Sequence, residues 1–137
     1  MTFLYKTYEV EYEYLFSNHS KTILLLHGWG GNKNSFAKAK KFFKNQYNIL
    51  SISFPPLNLY TNDYNLSQNE SIVPLTMYDY RNIALSILTI LNLNSIIIIC
   101  HSFGLRVSLM LATSNISIIK IIITGGAGIR LKSNFFK

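Results

Sequence analysis

The sequence predicts an α/β protein, a doubly wound and mostly parallel sheet with an antiparallel N-terminal edge. Three observations carry that prediction. Two apolar runs, TILLLH (22–27) and IIIIC (96–100), show no polar alternation, which suits strands buried on both faces of a parallel sheet. Between and after them lie stretches with helical periodicity, so strand and helix alternate as in right-handed βαβ units. By contrast, YEVEYEY (8–14) alternates strictly, Glu on one parity and Tyr or Val on the other, which marks a half-exposed antiparallel or edge strand.

Each further element follows from local chemistry. After the first buried strand, Asn34 or Ser35 is expected to cap a helix over 35–44, with Phe36, Ala39 and Phe43 inward and Lys38, Lys40, Lys41 and Lys44 on a solvated face. YNILSISF (47–54) and IIKIIIT (118–124) read as further buried strands. The stretch 55–76 carries Pro55, Pro56, Pro74 and many Asn and Ser, and reads as a long excursion loop. Asp79 stands near the start of a second helix, whose apolar stripe is Tyr80, Ala84, Ile87, Leu88 and Leu91. Asn92 and Asn94 punctuate its end. A third helix follows Ser102, with Phe103, Val107, Met110 and Leu111 at helical spacing. No internal repeat is visible, and the whole of 1–137 reads as one domain.

Composition excludes several classes. The 137 residues are 49% apolar, which rules out a disordered chain and allows a real core. No apolar run approaches the roughly 18–20 residues of a membrane span, so no membrane partner is expected. The N-terminal stretch is interrupted by Lys6, Glu9, Glu11 and Glu13 and does not read as a signal peptide. A single cysteine fits a reducing cytoplasm. The net charge of +7 traces to a solvated helix face and not to a basic stripe interleaved with aromatics, so nucleic acid is not expected as a partner.

Two segments carry chemistry. A serine hydroxyl becomes a nucleophile only when it is aimed, deprotonated and given a sink for developing negative charge. A sharp strand-to-helix turn aims it, and such a turn needs small residues two positions to either side. Cys100-His101-Ser102-Phe103-Gly104 has that pattern, after a buried strand and before a helix, with Cys100 in the first small position. The other segment is LLLHGWGGNKNSF (24–36), where a strand ends at His27-Gly28 and a glycine-rich loop enters a helix. The backbone N–H groups of Trp29 and Phe103 are candidate oxyanion donors, each worth about 3 kcal/mol in a transition state.

Together these segments resemble the α/β-hydrolase family, specifically the N-terminal part of compact bacterial esterases and related acyl hydrolases. LLLHGWGGNKNSF is similar to that family's histidine-glycine oxyanion loop, and CHSFGLRVSLMLA to its GHSFGGR elbow, with Cys100 and Leu105 in place of glycines. SISFPPLN stands where the family usually carries an Asp-Leu-Pro-Gly turn. IIKIIITGGAGIRLKSNFFK resembles the next strand and the start of the cap region. The resemblance implies a truncated α/β-hydrolase fold, a Ser102 nucleophile, an oxyanion hole at Trp29 and Phe103, and loop geometry set by Gly28, Cys100 and Gly104. It implies a small ester-like substrate and neither cofactor nor metal.

Other residues have plainer readings. His101 precedes the nucleophile and is expected to point away from it in a packing or turn role. His27 reads as a loop anchor, His19 as solvated, Cys100 as an inert small residue, and Arg106 as structural or solvent-facing. The family's order is serine, acid, histidine, yet no histidine or carboxylate follows Ser102; Asp63 lies in the excursion loop and Asp79 at a helix start. Loss of a triad histidine can cost about a million-fold in turnover, so these residues alone are expected to be a very poor hydrolase. The strand at 118–124 is expected to form an open sheet edge, inviting a complementing C-terminal chain or self-association. The chain is therefore expected to be a fragment of a longer hydrolase, a split gene product whose remainder is a separate chain, or the product of a decayed gene. A non-catalytic interaction module or decayed fragment that retains the fold stands as the alternative. Nucleotide binding through TGGAGIRL (124–131) is a weaker one, because Leu131 replaces the last glycine of a dinucleotide turn.

Overall fold

The computed structural model describes residues 1–55 and 74–126. In chain order these form β1 (Thr2–Tyr5), β2 (Tyr8–Leu15), β3 (Thr22–Leu26), α1 (Ala37–Phe43), β4 (Asn48–Ser53), α2 (Met77–Ile90), β5 (Ser95–Ser102), α3 (Phe103–Ala112) and β6 (Ser117–Gly126). The six strands make one sheet in the order β1-β2-β4-β3-β5-β6. β3, β4, β5 and β6 run parallel, whereas β1 and β2 pair antiparallel at one edge. Residues 56–73 of the excursion loop, with Pro56 and Asp63, and everything after Gly126 lie outside the described residues.

The unbroken apolar runs are central because both faces of the sheet are covered. All five residues of β3 are buried. Leu24 and Leu26 point into a large core with Tyr80, Ile83 and Ile87 of α2 and Val107 and Leu111 of α3. Ile23 and Leu25, of the other parity, join Ile49 and Ile99 on the opposite face beneath Phe36 and Phe43. Each fully buried leucine or isoleucine is worth about 1.5–3 kcal/mol, so the alternation of parity between two cores holds the layers together. In β2 the alternation is of the other kind: Val10 and Tyr12 are buried, Glu9 and Glu11 exposed.

Three local expectations need correction. β1 is absent from the sequence prediction; it joins β2 through a tight hairpin in which Lys6 adopts φ 53, a turn with no glycine or asparagine to announce it. Neither Asn34 nor Ser35 caps α1. Phe36 holds the N-cap position without a side-chain bond. Ser35 Oγ instead accepts the Asn32 N–H at 3.0 Å, and Asn32 Oδ1 accepts the Asn34 N–H at 2.8 Å, so the polar run closes the loop before the helix. Lys40 leaves the solvated face: it is buried and ion-paired with Glu13 of β2.

α2 is capped as its first turn requires. The Thr76 hydroxyl accepts the Asp79 N–H, and Asp79 Oδ2 accepts the Thr76 N–H at 2.7 Å, a reciprocal capping box. Asp79 Oδ1 also accepts from Tyr5 Oη at 2.9 Å and pairs with Lys6 Nζ at 2.6 Å, which ties the β1–β2 hairpin to the helix. Burial raises the Asp79 pKa, but the bonds from Lys6, Thr76 and Tyr5 outweigh it and hold the carboxyl well below its usual range. At the other edge, β6 pairs only with β5 among the described residues, and Ile119, Ile122 and Ile123 are exposed.

Candidate active site

β5 passes into α3 with no loop between them: Ser102 is the last residue of the strand and the N-cap of the helix. Its backbone is at φ 47, ψ −110, a left-handed conformation that costs a serine about 1–3 kcal/mol. Strand and helix meet this closely because residue 104 has no side chain. A Cβ on Gly104 would stand 2.2 Å from the Leu26 carbonyl oxygen and 2.9 Å from that of His27. Register against β6 shifts between Cys100 and Ser102, the kind of bulge that re-aims a side chain at a strand end.

Cys100 fills the first small position. It is fully buried, and its Sγ lies 3.6 Å from the Ile122 carbonyl oxygen. Burial pushes its thiol pKa up, against a smaller opposing effect of Ser108, so the thiol stays protonated and unreactive. Leu105, in the other glycine-like position, is buried in the core. Arg106 is exposed on the outer face of α3.

The glycine-rich loop lies directly against this elbow. A Cβ on Gly28 would fall 3.3 Å from Ser102 Cβ and 2.9 Å from His101 Cδ2. The loop turns tightly, with the Gly31 N–H on the Gly28 carbonyl at 3.1 Å and Gly30 at φ 68. His27 anchors its start. His27 Nε2 accepts the Phe54 N–H at 2.9 Å, which assigns the proton to Nδ1, 2.6 Å from the Gly28 carbonyl oxygen. Burial lowers the His27 pKa and the Gly28 contact only partly opposes it, so the ring is neutral at pH 7.

Side chains join the two segments as well. The Trp29 indole is 56% exposed and stands edge-on to the Phe103 ring, with centroids 5.9 Å apart. The His101 ring is exposed between Gly28 and Gly125, where a Cβ on Gly125 would come within 2.7 Å of it. Two hollows open here. One, of about 270 Å³, is walled by His27, Trp29, Phe54, Pro55 and Phe103; the other, of about 340 Å³, by Trp29, Ser35, Phe36, His101 and Thr124. Gly28 borders both and lies against Ser102, which is itself a wall of neither. Ser102 Oγ itself has no hydrogen-bond partner among the described residues.

The fold of these residues recurs in solved structures. The chain matches an N-acyl homoserine lactone-degrading enzyme with a TM-score of 0.73 at 11% identity, covering 92% of this chain and 45% of that one. It matches MenH from S. aureus with a TM-score of 0.65 at 21% identity, covering 90% and 45%. An esterase from Exiguobacterium antarcticum gives a TM-score of 0.65 at 21% identity, covering 88% and 42%. The chain has the α/β-hydrolase fold. It spans less than half the length of these α/β-hydrolase structures. No protein-family model and no curated protein matches the sequence.

Within this α/β-hydrolase fold the residues singled out in sequence converge on one end of the sheet, from β3, β5 and the loops after them. Sequence reading missed three features: the Trp29–Phe103 stack, the seating of His101 between two glycines, and the Tyr5–Asp79–Lys6 cluster. The stack has a retrospective signal, an aromatic residue directly after each of the two motif turns. The other two join segments far apart in sequence, and no local pattern announces them.

Proposed function

We propose that Ser102 is the nucleophile of an acyl-transfer hydrolase acting on a small ester-like substrate. The observation that carries this reading is the Ser102 backbone, at φ 47 and ψ −110 on a strand-to-helix junction. Strain of this kind persists only where the surroundings impose it, and it clusters at functional sites. Ser102 Oγ attacks the acyl carbonyl, and the resulting oxyanion takes hydrogen bonds from the backbone N–H groups of Trp29 and Phe103. The alcohol departs, and water then releases the acid from the acyl-serine. The neighbours described as an esterase and a lactone-degrading enzyme favour this class of reaction.

Among the described residues no side chain is placed as the base that takes the Ser102 proton. His27 Nε2 is occupied by the Phe54 N–H, and no histidine or carboxylate follows Ser102 in sequence. We assign acid and base to residues outside this sequence, on the same chain or on a complementing C-terminal chain added along β6. A fluorophosphonate probe with added imidazole as surrogate base tests the nucleophile directly. Labelling should map to Ser102 and disappear in Ser102→Ala; a folded chain that stays unlabelled would defeat the proposal.

A second reading rests on the open outer edge of β6, where Ile119, Ile122 and Ile123 are 48%, 41% and 50% exposed. On that reading the fold serves as a non-catalytic module that binds a second chain or another copy of itself through this edge. It requires a defined complex or oligomer with no esterase activity, and a lone monomer on size-exclusion chromatography would count against it. The single buried cysteine accords with a reducing cytoplasm as the site of action.

A further inference from the structure

We infer that the hollow between Trp29, Phe54 and Phe103 is the acyl pocket, that it selects an uncharged acyl group bearing one aromatic ring, and that Trp29 is the residue that sets this preference. The inference rests on Ser102 as nucleophile and adds the class of substrate. Its first support is the way the walls are built. Phe103 stands edge-on to Trp29, Phe54 and Tyr80, at centroid distances of 5.9, 6.3 and 5.0 Å and interplanar angles of 84–85°. Phe54 and Tyr80 meet in the same way at 5.6 Å and 85°. Aromatic rings gain most from such edge-to-face contacts, because ring edges are positive and ring faces negative. Within this tiling only Trp29 is largely uncovered, at 56% exposure, and a ligand ring seated beside it would bury it.

Size and charge narrow the occupant. A closed apolar cavity of about 150 Å³ holds a benzene molecule. At about 270 Å³ and open on one side, the hollow has room for one ring and the carbonyl group that Ser102 attacks. Among the described residues no charged side chain borders it, and neutral His27 has both ring nitrogens engaged. A carboxylate on the acyl group would therefore lose its hydration with nothing in return. Gly28 connects pocket to nucleophile, since it lines the hollow and its Cβ position lies 3.3 Å from Ser102 Cβ.

Trp29 is the only tryptophan and borders both hollows, so its emission reports binding at this end of the sheet, and Phe54→Leu, which alters the first hollow alone, assigns the signal to it. Three probes of similar bulk separate the possibilities: phenylacetamide, hexanamide and phenylacetate. Phenylacetamide should shift the emission saturably and bind about three- to tenfold more tightly than hexanamide, the range expected of one aromatic pair. Phenylacetate should bind more weakly than either. By calorimetry, Trp29→Leu should remove the preference for the ring, while Ser102→Ala should leave it intact. Equal affinity for phenylacetamide and hexanamide, or a Trp29→Leu chain that keeps the preference, would overturn the inference. Labelling of Ser102 without ring preference removes the pocket and keeps the nucleophile, whereas ring-selective binding without labelling keeps the pocket and removes the nucleophile.

Discussion

Gly104 sits so close to Leu26 that a Cβ on residue 104 would overlap the Leu26 carbonyl oxygen, at 2.2 Å. The obstacle is backbone at the end of a central strand, which cannot swing aside as a flexible side chain would. Gly104→Ala must push α3 off β3 and is expected to cost about 3 kcal/mol, at the upper end of overpacking penalties. Gly30 provides the contrast. It has open space around its Cβ position but φ +68, so Gly30→Ala should cost only the left-handed penalty of about 1–2 kcal/mol. Urea denaturation of the two variants measures the difference.

Ser102 yields a prediction that separates strain from chemistry. Alanine at this position keeps the unfavourable φ of 47, whereas glycine relieves it. Ser102→Gly should therefore be more stable than Ser102→Ala by about 1 kcal/mol, and neither should react with a fluorophosphonate. Equal midpoints in urea would show that the elbow is not strained.

His27 makes stability depend on pH in a definite direction. Its folded pKa lies below the ordinary 6.5, so the unfolded chain binds the extra proton first as the solution is acidified. Stability should be level above about pH 7 and fall as pH drops below 6.5 toward the depressed folded value. His27→Gln, which retains an acceptor for the Phe54 N–H, should flatten that limb. A lower window belongs to Asp79, whose folded pKa is depressed below 3.8: its contribution is present above that pH and is lost only in stronger acid. Thermal melts from pH 8 to pH 2 resolve the two.

The parallel core was legible because burial on both faces leaves a signature in the residues themselves, the unbroken runs of β3 and β5. The elbow was legible for a related reason: its small residues answer a local steric demand, visible at Gly104 without knowledge of any partner. β1 was not legible. Four residues are too few to display a period, and its turn uses Lys6 at positive φ where asparagine or glycine would have signalled it. The cap of α1 was misread because Asn and Ser serve loops and helix starts through the same hydrogen bonds. Lys40 was misread because its partner, Glu13, lies 27 residues earlier, on a strand whose place in the sheet no local pattern reveals.

The outer edge of β6 sets up the last prediction. β5 pairs along one side of this ten-residue strand, and among the described residues nothing pairs along the other. Its side chains offer little protection: only Lys120 places a charge on the strand, while Ile122 and Ile123 are 41% and 50% exposed on opposite faces of the sheet. Unpaired N–H and C=O groups flanked by isoleucine form a template for another strand, and lysine is the residue that natural edges use to prevent such pairing. The chain is therefore expected to associate as its concentration rises, eluting ahead of a monomer on size-exclusion chromatography. Ile123→Lys, at a position already half in solvent, should move the protein toward the monomer and leave its melting temperature within a few degrees of the parent. If the parent is monomeric at every concentration tested, or the variant associates just as strongly, the β6 edge is not what holds copies together.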